Sequence, residues 1–266
     1  MDVDTGTEKL VATTANGIGW IIFNNPDKRN ALSRDMYLGL AKVMESYARD
    51  PDVRVVILKG AGDKAFISGA DISQFEKNRS TIEGVRESDA ISERANKALR
   101  ECPKPTIAMV RGYCIGGGLS VAIACDMRIA SDDSRFGVPA AKLSVGYRYS
   151  GVKRLVGLVG PSYTAEIFYT GRQFTAQEAK EMGLVNRVVP AAELEQYVLD
   201  YAKTLTTNAP LTLSAVKYCL VEIMKDESER DVELCTRVVE ACFMSEDYIE
   251  GRRAFMEKRK PVFKGR

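Results

Sequence analysis

Two short turns carry the residues with the most chemical content in this chain: Phe66-Ile67-Ser68-Gly69-Ala70-Asp71-Ile72 and Arg111-Gly112-Tyr113-Cys114-Ile115-Gly116-Gly117-Gly118. Each follows a strand-like run, and the second opens a segment that reads as a helix. Two backbone N–H groups presented by such turns can converge on one oxygen and stabilise negative charge developing there. Histidine is absent from the sequence. That excludes a Ser-His-Asp triad, a Cys-His pair and every His-ligated metal site.

Alternating strands and helices must position these turns. Residues 10–14 and 18–24 are apolar-rich and flank Asn16-Gly17, a hairpin signal. Ser33 caps a helix running to about Ala48, with Met36, Leu40, Val43 and Met44 on one face. Residues 53–59, 105–110 and 127–130 read as buried strands, which indicates crossover units and an α/β architecture. The polar stretch 75–100 reads as helices beside the site, partly mobile. Helices are expected at 192–206, 210–225, 228–243 and 246–258. The simplest division is a core over residues 1–200 and a helical region over 201–266.

A net charge of +2 gives no electrostatic case for nucleic acid or a membrane surface. No apolar run is long enough to span a bilayer. The first residues, Met1 to Gly6, show no basic stretch followed by an apolar one, so no secretory signal is visible. Six cysteines without a CxxC pair read as reduced thiols of a cytoplasmic protein.

Several ordered motifs together resemble the crotonase (enoyl-CoA hydratase/isomerase) superfamily. They are Asn25-Pro26-Asp27-Lys28-Arg29-Asn30-Ala31-Leu32, Ser68-Gly69-Ala70-Asp71-Ile72, Gly116-Gly117-Gly118 and Cys125-Asp126-Met127-Arg128-Ile129-Ala130. Thr175-Ala176-Gln177-Glu178-Ala179 with residues 183–189, and the tail Glu257-Lys258-Arg259-Lys260-Pro261, complete the set. The resemblance implies a spiral core of repeated ββα turns and a helical C-terminal region that forms homotrimers, often paired into hexamers. It implies an acyl-CoA substrate, with coenzyme A as part of that substrate and no metal or redox cofactor. Ala70 and Gly117 would then form an oxyanion hole for the thioester carbonyl. Lys28, Arg29, Ala31, Ser68, Asp71 and Ile72 would cradle the CoA. Phe255 and Lys258 fall on the terminal helix that, in relatives, reaches the CoA site of its own or a neighbouring subunit. Lys28 and Lys258 also fit plain solvated charges, and Asp71 equally fits a cap for a helix over residues 72–77.

The sequence departs from the family at both hydratase glutamates, where Ser120 and Ala140 stand. A methyl group transfers no proton, and a serine hydroxyl is a poor base without a partner. Ser120 fits either a space-filling residue or a nucleophile served by Glu83, Glu87 or Asp89. The segment Tyr147-Arg148-Tyr149 resembles that of methylmalonyl-CoA decarboxylase, where a tyrosine lies beside the substrate carboxylate; Arg148 replaces the aspartate of family isomerases and dehalogenases. The alternative for Tyr147 and Arg148 is a surface or trimer contact. Three functions follow: an enolate-stabilising decarboxylase or thioester hydrolase, a hydratase/isomerase with relocated acid/base groups, and a non-catalytic acyl-CoA-binding protein.

Overall fold

The computed structural model describes residues 2–74 and 80–266. The helices expected over 75–100 therefore lie partly outside the described residues, at 75–79, as does the end of the 72–77 helix expected after Asp71. The remainder forms one helix, α2 (Ile82–Glu101), capped by the Thr81 hydroxyl.

The chain opens with an antiparallel hairpin of β1 (Leu10–Ala15) and β2 (Ile18–Phe23). Asn16 and Gly17 link them at φ 53° and 77°, the left-handed pair whose twist matches that of the strands. Helix α1 (Arg34–Arg49) starts at Ser33, whose hydroxyl accepts from Met36 N at 3.4 Å. Its buried face includes Met36, Leu40, Val43, Met44 and Tyr47, as the periodicity predicts. The Tyr47 hydroxyl donates to Thr13 O and Trp20 O at 2.8 and 3.1 Å, pinning α1 to the hairpin.

One strand–strand–helix step then occurs three times. Strand β3 (Val55–Gly60) leads to β4 (Ala65–Ile67) and α2. Strand β5 (Thr106–Val110) leads to β6 (Tyr113–Ile115) and α3 (Gly117–Ala124). Strand β7 (Met127–Ser131) leads to β8 (Arg135–Gly137) and α4 (Tyr149–Thr170). The longer strands, joined by the three-residue β10 (Arg187–Val189), form a sheet ordered β1-β2-β3-β5-β7-β10 that is parallel except for the β1–β2 hairpin. The short ones form a second sheet, β4-β6-β8-β9, with β9 at Phe174–Thr175. Because β4 and β6 pair directly, the turns that follow them become neighbours in space.

Helix α5 (Ala176–Glu181) begins at a reciprocal cap, Glu178 N on the Thr175 hydroxyl and Thr175 N on the Glu178 carboxylate. Helices α6 (Leu194–Thr207), α7 (Pro210–Ile223), α8 (Val232–Phe243) and α9 (Glu246–Met256) complete the chain. Helix α8 starts later than residue 228 because Asp231 is the cap, accepting from Leu234 N at 2.7 Å. Helix α6 straddles residue 200 and packs Leu194, Val198 and Ala202 on the large sheet. Lys217 on α7 ties the C-terminal helices to the core. Its ammonium donates to Leu99 O, Lys104 O and the Asp126 carboxylate. Helices α7 to α9 expose apolar side chains including Leu220, Ile223, Phe243 and Phe255. No helix among the described residues is long and apolar enough to cross a membrane.

Candidate functional site

The direction of two N–H groups follows from the bonds around them. Leu32 N donates to Gly69 O at 2.8 Å, and Asp71 N donates to Leu32 O at 2.8 Å. The intervening Gly69–Ala70 peptide is trans and planar, so the Ala70 N–H points away from Leu32. At the second turn, Ser120 N donates to Gly116 O at 3.0 Å. The Gly117 N–H shares that peptide plane and leaves α3 at its N-terminal end, where the helix carries partial positive charge. A Cβ on Gly117 would stand 3.7 Å from Ala70 N. The two donors thus sit side by side, and both residues line one cavity of about 250 Å³.

Glycine is required here for two separate reasons. Gly116 adopts φ 54° and ψ −113°, outside the range of ordinary residues. A Cβ on Gly118 would lie 2.3 Å from Ile67 O, so only glycine lets the first turn of α3 seat against β4.

Ser120, Tyr147 and Arg148 line the same cavity, as does Ala140. The Ser120 hydroxyl donates back to Gly116 O at 3.4 Å, and Ala140 is buried. Tyr147 brings its hydroxyl to 3.9 Å from where a Cβ on Gly116 would be, while its ring meets Phe168 edge-on at 4.8 Å. Arg148 pairs with Asp89 of α2, Nε to Oδ2 at 2.5 Å. The hydroxyl, phenol and guanidinium expected near the acyl end are therefore brought together.

Residues not anticipated from sequence join them. The Tyr37 hydroxyl of α1 would lie 2.9 Å from a Cβ on Gly117, placing a second phenol at the paired N–H groups. From α2, Ser92, Glu93, Asn96 and Arg100 line the cavity, and Arg154 of α4 lines it too; Asp89, one of the three acids weighed as a base for Ser120, is also in the lining, whereas Glu83 and Glu87 are not. The signal was present: polar residues at 89, 92, 93, 96 and 100 recur at helical spacing and make one face. A polar face normally reads as solvated, which hides such a site.

The loop over residues 25–32 sets two cations, Lys28 and Arg29, beside the first turn as a rim, although neither lines the cavity itself. Asn30 is buried, donating to Ala61 O and Ala65 O and accepting from Asn25 N, which fixes the loop carrying Lys28, Arg29 and Ala31. Lys28 pairs with Asp71 at 3.0 Å and reaches the Ser73 hydroxyl at 3.1 Å, yet its side chain stays half exposed. Asp71 accepts from Ser73 N as well, at the start of a 3-10 turn over Ile72–Gln74. Its carboxyl is held below the usual range by the Ser73 hydroxyl, against burial, with Lys28 adding to the effect. Arg29 lies over the Tyr113 ring at 5.4 Å. Ser68 N donates to Arg29 O, locking this loop onto the first turn, and exposed Ile72 supplies an apolar edge. Phe255 and Lys258 are elsewhere within this chain. Phe255 lines an apolar groove between α7, α8 and α9, and Lys258 is exposed just beyond α9.

A family model described as enoyl-CoA hydratase/isomerase matches residues 13–266. The sequence is 34% identical to a crotonyl-CoA hydratase of Syntrophomonas wolfei over 256 residues, covering 96% of this chain and 98% of that protein. It is 35% identical to the carnitinyl-CoA dehydratase of Escherichia coli over 271 residues, covering 98% and 100%. Among solved structures, an enoyl-CoA hydratase/carnithine racemase from Magnetospirillum magneticum superposes with a TM-score of 0.91 at 36% identity, covering 98% and 97%. An enoyl-CoA hydratase from Bacillus anthracis gives 0.90 at 31%, covering 97% and 100%.

Proposed function

Since the chain belongs to the enoyl-CoA hydratase/isomerase family of the crotonase superfamily, we propose that it is an acyl-CoA enzyme that polarises a thioester through the Ala70 and Gly117 N–H groups and generates its enolate without the two hydratase glutamates. The observation that carries this reading is the adjacency of those two donors in a cavity that Ser120 and Ala140 also line. A hole of this kind stabilises charge that appears only as the reaction proceeds, and each donor is worth about 2.7–4 kcal/mol.

Loss of CO2 from a carboxyacyl-CoA is the reaction best matched to such a site. The C–C bond to the carboxylate breaks, its electron pair becomes the enolate, and no strong base is needed. Tyr147 supports this, being a phenol beside the hole that can donate to the departing carboxylate. Thioester hydrolysis requires an activated water, and the Ser120 hydroxyl is turned back to Gly116 O. The Lys28–Arg29 rim would meet CoA phosphates, with Ala31, Ser68, Asp71 and Ile72 beside it. Phe255 and Lys258 would join a CoA site across subunits, and the apolar side chains on α7 to α9 suit assembly into trimers.

A second reading has its own observation. Asp89 and Glu93 bring carboxylates to the cavity, so hydration with relocated acid/base groups is the alternative, although each is engaged by an arginine. Mass spectrometry of an acyl-CoA panel separates the two. Decarboxylated product from malonyl-type thioesters, with no hydration of crotonyl-CoA, is expected; efficient hydration would replace the first reading by the second. Binding without turnover of any member would leave an acyl-CoA-binding protein.

A further inference from the structure

The cavity continues inward from the paired N–H groups along α3, past Ser120 to Ile123 and Ala124. Gly117 and Ile123 are six helical steps apart, so the inner end lies about 9 Å from the hole. An acyl pocket built only for a hydrocarbon would be apolar there. This one is lined at that end by Glu93, Asn96, Arg100 and Arg154.

The charges at the wall do not cancel. Arg148 is matched by Asp89, and Arg100 by Glu93, leaving Arg154 with no salt-bridged carboxylate among the described residues; Asp126 acts on it only through space and is itself paired with Lys217. Arg154 is fixed by its Nε, which donates to Ile123 O at 2.9 Å. Burial, and then the nearby Arg100 charge, hold its guanidinium below the ordinary value, so two cations share a partly desolvated space. Beside them the Asn96 side-chain oxygen is fully shielded and has no hydrogen-bond partner among the described residues. Leaving a buried polar atom this way is unfavourable. Turning the amide by 180° exchanges its oxygen and NH2, so Asn96 can offer donors to an anion.

We propose that the inner end of this cavity is an anion subsite, in which Arg154, with Arg100 and Asn96, holds a carboxylate at the far end of the acyl chain. The ligand class is therefore an ω-carboxyacyl thioester, and this carboxylate is retained, distinct from any carboxylate lost beside the hole. The inference rests on the acyl-CoA reading and holds for either reaction.

Calorimetric binding of adipyl-CoA and hexanoyl-CoA to the full-length protein tests it, since the two differ only at the chain end. A hydrogen-bonded charge is worth about 1.5–3 kcal/mol, so adipyl-CoA is expected to bind at least about tenfold more tightly. Arg154→Gln should bring that ratio to about one. Should that variant fail to fold, Asn96→Asp places a like charge against the carboxylate at nearly constant shape and should bring the ratio to one or below. Equal binding of both thioesters to the unmutated protein would overturn the subsite and leave the acyl-CoA reading standing. If neither thioester binds, the acyl-CoA reading falls and the subsite with it.

Discussion

Tyr147 and Gly116 face one another across the mouth of α3, the phenol oxygen 3.9 Å from where a Cβ on the glycine would lie. The ring is held by Phe168, so the hydroxyl can be removed without disturbing its packing. Tyr147→Phe is expected to lower kcat for carboxyacyl-CoA turnover about 10- to 100-fold, the worth of one hydrogen bond to a charged group. An unchanged kcat in steady-state assays would place the phenol outside the reaction.

Placing carboxylates at positions 120 and 140 tests the proposal that the hydratase acids are missing from this site. Ser120 and Ala140 both line the cavity that contains the paired N–H groups. The double substitution Ser120→Glu with Ala140→Glu should raise crotonyl-CoA hydration about 10²–10⁴-fold over the unmutated chain, the span of one effective acid/base step. Loss of the conjugated thioester absorbance gives the rate. A folded double variant with no gain would mean that these positions do not limit hydration.

The turns, the hairpin and α1 were legible because local chemistry determines them. Asn16-Gly17 requires left-handed backbone, Ser33 is a cap, and the α1 apolar spacing follows the helical period. Strands β4, β6 and β8 were not legible, being three residues each and too short to carry a period. Their pairing is nevertheless what brings Ala70 to Gly117. Helix α4 escaped notice because Gly160 and Pro161 interrupt it. Tyr37 was hidden among the core residues of α1, and the stretch 75–100 read as helices beside the site without revealing which polar face of α2 lines it. Only tertiary packing turns that face inward.

Lys217 and Asp126 make a prediction about stability alone. The lysine is buried, bonded to two carbonyls and one carboxylate oxygen, and that same oxygen also accepts from Thr106 N and its hydroxyl. Removing one partner of a buried pair leaves the other charge uncompensated. Lys217→Ala should lower unfolding stability by about 3 kcal/mol in urea denaturation, in the range for a broken buried pair. A change near zero would mean that solvent replaces the ammonium.

The C-terminal tail should be released by acid, through Glu250. Its carboxylate accepts from both terminal nitrogens of Arg259, at 2.6 and 2.8 Å, and from Val262 N at 2.9 Å. These bonds depress its pKa from 4.5 to about 2, with Arg259 the largest cause. For an acid whose folded-state pKa is depressed, the stabilisation is complete above the unfolded value and disappears as pH falls through the folded one. The contact is therefore fully present above about pH 4.5 and lost progressively toward pH 2. Carboxyl-carbon NMR of Glu250 should report a midpoint near the lower value, and Val262 amide exchange, corrected for its intrinsic pH dependence, should lose protection over the same interval. A midpoint near 4.5 would show that the tail is not held to α9 by this carboxylate.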